Sequence, residues 1–453
     1  MQPRGKFASR NSSAEFPNRK KSFSPPPFSA LDTSRRAPLN PPPRAPGNAM
    51  SRQPSKPIFI FIEGLNAYAT AFYFNYLFFF MGAAHGWSDR QNLALSATHG
   101  FIYIFAAIIG GRCAHRIGYV PALRGGLAVM IAMLLAAGVS SAPAMQVAML
   151  ALWTIGVCFT WPTLEAAITD HEPPHRIPRM VGLYNLTWAS GAALGYFTGG
   201  ALLEKLGARS IFFVPAALHA VQIALTFVVA PAAPRETHRE NPPSTTEGAA
   251  QVVPELNPRP IARARTFLRL AWFANPFAYI AINSILPVIP SISRKLELSP
   301  MFAGFFCSIW LFARLGAFVA LWLWPGWHYR FGWFFSAYVV VTASYITLLL
   351  STDLAVLVAA QIAFGLGLGL VYYSSLFYSM DAGGAKAEHG GVHEAAIGIG
   401  IFTGPAVGAA SLYALPQFPR AATWAVSALL VAGLIGSLAI ARSCRRLEAA
   451  AKS

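Results

Sequence analysis

Three carboxylates and one guanidinium sit inside long apolar runs of this 453-residue chain: Glu63, Glu165, Glu394 and Arg314. A carboxylate in such surroundings either pairs with a base or takes up and returns a proton, because an unpaired charge there is costly. A guanidinium stays charged and can hold a carboxylate through two parallel hydrogen bonds. Glu63, Glu165, His393 and Glu394 are therefore candidates for proton coupling or for a polar gate. His393 and Glu394 are adjacent on a helix, project about 100° apart and need not touch. Arg314 is expected to face an interior, either paired with an acid such as Glu394 or holding an anionic solute.

A second set of residues places amide or hydroxyl groups beside aromatic faces. Asn66 and Tyr73 share one helical stripe with Glu63 and Thr70, which reads as a cavity wall, and Trp161 lies one turn from Glu165. Asn185 and Trp188, Asn275 and Tyr279 with Asn283, and Tyr372 with Ser375 and Ser379 form similar clusters further along the chain. Such chemistry suits a modest organic solute with polar and apolar surface. Trp324 and Trp327 read instead as interfacial belt residues. The chain has no Gly-x-x-x-x-Gly-Lys-Ser/Thr phosphate loop, so ATP-driven chemistry has no support. Cys113, Cys158, Cys307 and Cys444 lack ligand spacing, and His115, His171 and His175 lack a catalytic constellation. No cofactor, metal or enzymatic activity is expected.

Positioning these groups requires long buried helices, and the composition supplies them. Hydrophobic residues make up 55% of the chain and charged residues 12%, against about 25% charged in ordinary soluble domains. The chain therefore reads as a polytopic membrane protein whose main partner is the lipid bilayer. The formal charge of +17 is concentrated at one end: residues 1–56 hold eleven Lys and Arg against Glu15 and Asp32, so nucleic acid is not expected as a partner. That stretch is rich in Pro, Ser, Arg and Lys, and is expected to be a disordered tail with Met50 as an alternative start.

Apolar runs of bilayer length number twelve, at roughly 57–81, 93–110, 121–140, 144–168, 179–202, 209–230, 266–289, 300–323, 332–351, 354–379, 388–413 and 420–441. A polar segment at 231–265 reads as a linker, which gives an N-terminal six-helix bundle at 57–230, a C-terminal one at 266–443 and a tail at 444–453. With both termini inside, the outer loops hold only Arg90, Lys205, Arg209, Arg294, Lys295 and Arg420, whereas the inner segments hold nearly all the other bases. The positive-inside rule therefore places both termini in the cytoplasm. The third, sixth, ninth and twelfth runs are bland and suit lipid-facing positions. The first, fourth, fifth, seventh, eighth, tenth and eleventh carry the polar and aromatic groups and are expected to line an interior.

Between the second and third runs lies a small basic turn, Gly110 to Pro121, in which Gly111, His115, Arg116 and Gly118 stand out. Residues 329–333 echo residues 115–119 after the eighth run, Gly400 to Gly404 echoes Gly195 to Gly199, and Asp381 echoes Asp170. The three echoes keep the same order in each half. The basic turn resembles the loop signature of the major facilitator superfamily, Gly-x-x-x-Asp-Arg/Lys-x-Gly-Arg/Lys, matched by Gly111, Arg116 and Gly118, with His115 where the family usually has Asp. Gly400, Gly404, Pro405 and Gly408 resemble the Gly-x-x-x-Gly-Pro-x-x-Gly motif that antiporters of the superfamily carry in their fifth helix; in the fifth run here, Tyr196 stands in place of that Pro. These stripes read as close packing between the two bundles.

The resemblance implies an all-α membrane fold of twelve transmembrane helices in two pseudo-symmetric six-helix bundles around a central cavity. It implies a monomeric secondary transporter of a small-molecule solute in a plasma membrane, in particular a bacterial inner membrane, working by alternating access; the intramembrane acids point to protons as the coupling ion, with an uncoupled facilitator as the other reading. The alternative is a non-transporting receptor or scaffold on the same fold.

Overall fold

The computed structural model describes residues 56–170, 172–173, 176–229, 258–382 and 387–450. Residues 1–55, most of the 231–265 segment, His171 and His175 lie outside the described residues, as do the side chains of Asp381, His393 and residues 444–450. Among the described residues every regular element is helical: α1 (Lys56–His85), α2 (Asp89–Ile117), α3 (Tyr119–Val139), α4 (Pro143–Thr169), α5 (Ile177–Leu206), α6 (Ser210–Thr226), α7 (Pro258–Ile285), α8 (Ile289–Lys295), α9 (Pro300–Cys307), α10 (Ile309–Leu323), α11 (Phe331–Leu350), α12 (Leu354–Ala382), α13 (Ala387–Ala414) and α14 (Ala421–Ala450). Between α7 and α8 runs a 3-10 turn, Leu286–Val288, where Pro287 removes a backbone donor. Arg263–Lys295 and Pro300–Leu323 each act as one interrupted helical stretch, so the fourteen labels amount to twelve rods.

Ten of the twelve are individually long and apolar enough to cross a membrane, and α5 with α6, meeting at 119°, passes that test as a pair. With 30 residues α5 is about 45 Å long, well beyond a hydrocarbon core of about 30 Å. The chain is thus an all-α membrane protein.

Helix contacts repeat from one half to the other. In the first half α1 packs on α5, α4 and α6, α4 on α2 and α3, and α3 on α6. In the second, α7 packs on α13, α12 and α14, α12 on α10 and α11, and α11 on α14. The halves meet through α2 against α13, and through α5 against α9 and α10, which is again one contact and its symmetric counterpart.

Three expectations change at this level. The turn from Gly110 to Pro121 is almost wholly helical: α2 continues through Ile117, α3 begins at Tyr119, and the break is Gly118 alone, at φ 94° and ψ 156°. Only glycine takes that backbone cheaply, which is why one residue suffices for the reversal. Second, the glycine stripes pack within halves. A Cβ on Gly195 would lie 2.4 Å from the Tyr68 carbonyl oxygen of α1, and one on Gly400 2.3 Å from the Pro276 carbonyl oxygen of α7. The echoed residues hold equivalent places, but each joins its helix to the first helix of its own half. Packing between halves uses other glycines: a Cβ on Gly100 would meet the Phe402 backbone at 2.4 Å, and one on Gly200 the Pro300 carbonyl oxygen at 2.0 Å. Third, Trp327 is buried, its ring against His328, Tyr373, Phe377 and Tyr378, and its Nε1 donates to the Leu321 carbonyl at 3.1 Å. It is a packing residue, whereas Trp324 is exposed as a belt residue would be.

Candidate functional site

Where the two halves meet, a cavity of about 160 Å³ is lined by side chains from α1, α2, α4, α5, α7, α10, α12 and α13, with Leu286 beside α7. None of α3, α6, α11 or α14 contributes, so the four bland runs do stand away from it. They are not featureless, however, since α6 buries His219 and Gln222.

Of the expected site residues, Trp161, Glu165, Trp188, Tyr279, Arg314, Tyr372 and Glu394 line the cavity together. Glu63, Asn66, Tyr73, Asn185 and Asn275 do not. The stripe on α1 is a helix contact: Asn66 donates to Thr160 Oγ1 on α4 at 3.2 Å, and the Tyr73 ring meets Trp153 edge-on at 4.7 Å. Thr70 reaches the cavity beside Ala67, Ala71 and Phe74, which lie a fraction of a turn away and present the wall themselves. Asn185 turns back to its own helix, donating to the Val181 carbonyl at 2.9 Å. Asn275 is fully buried and its amide has no hydrogen-bond partner. His115 and Arg116 are exposed at the end of α2, and Gly111 has open space beside it.

The acids gather from three helices. Glu63, on α1, is fully buried and neither of its carboxyl oxygens has a hydrogen-bond partner; it lies near enough to Glu165 and Glu394 to sense their charge. Glu394 accepts a 2.7 Å hydrogen bond from the Tyr103 hydroxyl, which links α13 to α2 across the interface between halves. Charges this close repel if all are ionised, and no base is recorded in an ion pair with them among the described residues. The recorded ion pair joins Lys56 to Glu172 at 2.5 Å, with a further bond from Lys56 to the Asp170 carbonyl, and fastens the start of α1 to the end of α4.

Arg314 is not paired with Glu394. Its guanidinium carbon lies 4.7 Å from the Trp188 ring centroid and 4.8 Å from that of Tyr372, and the two rings stack at 6.0 Å with 14° between their planes. The charge therefore lies alongside both rings of a stacked aromatic pair, with Phe318 at 5.3 Å. Aromatic faces hold a cation without consuming its donors, and Nε and Nη2 of Arg314 have no hydrogen-bond partner.

Sequence reasoning passed over α2. His99 bonds Thr154 Oγ1 through Nδ1 at 2.8 Å, its ring lies 4.5 Å from Phe74, and both His99 and Tyr103 line the cavity. Ser96, His99 and Tyr103 recur at helical spacing, which was the available signal.

The cross-half hydrogen bonds concentrate at one end. Asn92 donates to the Pro287 carbonyl at 3.2 Å, Ser96 to the Asn283 carbonyl at 3.4 Å, Ser291 to Asp89, and the Met301 amide to Glu204 at 3.1 Å. All lie toward the His85 end of α1. The cavity is sealed there by four polar ties and the close glycine contacts.

The family model described as Major Facilitator Superfamily matches residues 59–405. An uncharacterized MFS-type transporter of Mycobacterium tuberculosis is 28% identical over 137 residues, 30% of this chain and 24% of that protein, so the match spans about a quarter of that relative's length. Among solved structures, a bacterial homolog of the human lysosomal transporter Spinster, in an inward-facing and unoccupied conformation, aligns with a TM-score of 0.60 at 14% identity, covering 86% of this chain and 94% of that one. The nucleoside transporter NupG aligns with a TM-score of 0.61 at 12% identity over 85% of this chain and 98% of its own. At these identities the structural likeness is one of fold.

Proposed function

Because the chain belongs to the Major Facilitator Superfamily, we propose that it is a proton-coupled secondary transporter that moves a small organic solute by alternating access, with no catalytic chemistry. The observation that carries this reading is the cavity between the halves, lined together by Glu165, Glu394, Arg314 and the aromatic side chains of Tyr103, Trp161, Trp188 and Tyr372. Central sites between pseudo-symmetric bundles are where rocking exposes a solute to each face in turn.

Carboxyl groups without a counter-ion are the natural proton carriers in such a cavity. Glu63, Glu165 and Glu394 occupy one region with the hydroxyls of Tyr103 and Tyr184, while His99, Tyr279, Tyr372 and Arg314 are the other titratable or charged groups facing the space. A proton entering the acid cluster removes mutual repulsion among Glu63, Glu165 and Glu394. The ties toward the His85 end correspond to a state closed on that side. With the Lys56 end in the cytoplasm of a bacterial inner membrane, as the distribution of bases favours, that state faces inward. A monomer suffices, since each half supplies the other's counterpart.

The test is uptake of a solute panel spanning sugars, carboxylates, amino acids and amphipathic drugs by proteoliposomes carrying the purified protein. Accumulation of at least one class above its equilibrium level, collapsed by a protonophore, is the expected result. A receptor or scaffold on this fold gives binding with no flux of any solute.

A further inference from the structure

We infer that the cavity takes a planar organic anion of about one ring, its carboxylate held by the Nε and Nη2 edge of Arg314 and its ring lying against the aromatic wall of Trp188 and Tyr372. This deepens the transport reading and rests on it. Arg314 is 3% exposed, yet two adjacent N–H groups of its guanidinium have no hydrogen-bond partner. Leaving charged donors buried and unmet is expensive, and natural structures rarely do so without purpose. The two donors form the side-on fork that matches the two oxygens of a carboxylate.

A structural arginine at such depth consumes its donors on an acid or on helix carbonyls. Here the charge is stabilised by π faces instead, at 4.7 and 4.8 Å, so the cation is held in place while its Nε and Nη2 donors stay buried and without a partner; a solute reaches them by a small shift of the cavity wall. No acid lies within ion-pair distance of it among the described residues. Tyr279 and Tyr372 line the cavity together with Arg314, Glu165 and Glu394, and Arg314 is the one Arg or Lys in that lining among the described residues.

Size limits the body of the solute. The cavity holds about 160 Å³, and a cavity of about 150 Å³ accommodates benzene in a protein of unrelated fold. A flat ring is also the shape that lies along a stacked Trp–Tyr wall, where aromatic contacts add to burial.

The experiment is calorimetric titration of the purified full-length protein with benzoate and with benzamide, its neutral isostere, near pH 6. Wild type is expected to bind benzoate at least tenfold more tightly than benzamide. Arg314→Lys, which keeps the charge and loses the planar fork, is expected to lose at least tenfold in benzoate affinity and to narrow the ratio of benzoate to benzamide affinity by at least threefold. Trp188→Leu keeps the guanidinium and should weaken benzoate several-fold; it carries the test if the lysine variant does not fold. Equal binding of the two probes, no binding of benzoate by wild type, or unchanged benzoate affinity in the variants would overturn the inference. Flux of neutral or cationic solutes in those cases leaves the transport reading standing, and that reading fails by its own criterion, the absence of any flux.

Discussion

Gly100 is the point at which the account of alternating access can be pushed hardest. It sits on α2 where the backbone of α13 runs closest: an added Cβ would lie 2.4 Å from the Phe402 nitrogen, 2.5 Å from the Ile401 carbonyl carbon and 2.6 Å from the Phe402 Cα. These are backbone atoms of a helix and cannot swing aside, so Gly100→Ala forces the helices apart by about 1 Å to restore ordinary contact. Overpacking of this kind costs about 1–3 kcal/mol. That cost falls on the state sealed toward the His85 end and is relieved in a state where α2 and α13 part. The equilibrium should therefore move toward that alternative by a factor of about 5 to 150. The readout is the labelling rate of Ser96→Cys by a membrane-impermeant maleimide, in a background with the four native cysteines replaced. Ser96 is fully buried under the seal, so its rate reports the open fraction. Adding Gly100→Ala should raise that rate at least fivefold. An unchanged rate in a protein that remains folded would mean that α2 and α13 do not separate during the cycle.

Gly195→Ala makes the complementary case: its Cβ would meet the Tyr68 carbonyl oxygen within the first half, so thermal unfolding should show a loss of about 1–3 kcal/mol with no change in Ser96→Cys labelling. Gly118→Ala places a side chain at φ 94° and should cost about 1–3 kcal/mol, read as a lower melting temperature in detergent. Lys56→Met removes the ion pair to Glu172 and the bond to the Asp170 carbonyl, with an expected loss of about 1.5–3 kcal/mol by the same assay; an unaltered melt would show the tie to be inert. Glu165→Gln and Glu394→Gln keep size and hydrogen bonding but cannot titrate, so each should abolish pH-driven accumulation while retaining solute exchange. If both keep wild-type pH dependence, these acids are structural.

Much of the fold was legible because bilayer solvation writes it in long apolar runs, and because the echoes at Gly195 and Gly400 mark equivalent helices. What the runs could not reveal is which face of each helix turns inward. On α1 the polar stripe of Glu63, Asn66 and Tyr73 was the natural choice for a wall, but Ala67, Ala71 and Phe74 line the space while Asn66 and Tyr73 pack on α4 and Glu63 is buried away from it. In a helix apolar on all sides, small residues leave a cavity open and polar ones find partners on neighbouring helices, so polarity alone misassigns the face. The glycine stripes carried a similar ambiguity: spacing announces a close backbone without saying whose. Arg314 was placed correctly in the interior because no lipid-facing position tolerates it cheaply. Its aromatic partners Trp188 and Tyr372 lie on other helices, and no local pattern brings them together.

The most direct measurement is simultaneous solute and proton flux in proteoliposomes under an imposed pH gradient, comparing wild type with the Glu165→Gln, Glu394→Gln double variant. The account predicts that wild type accumulates solute against its gradient with stoichiometric proton entry, and that the double variant exchanges solute but neither accumulates it nor moves protons. Solute that merely equilibrates at the same rate with or without the gradient, in both proteins, would contradict it.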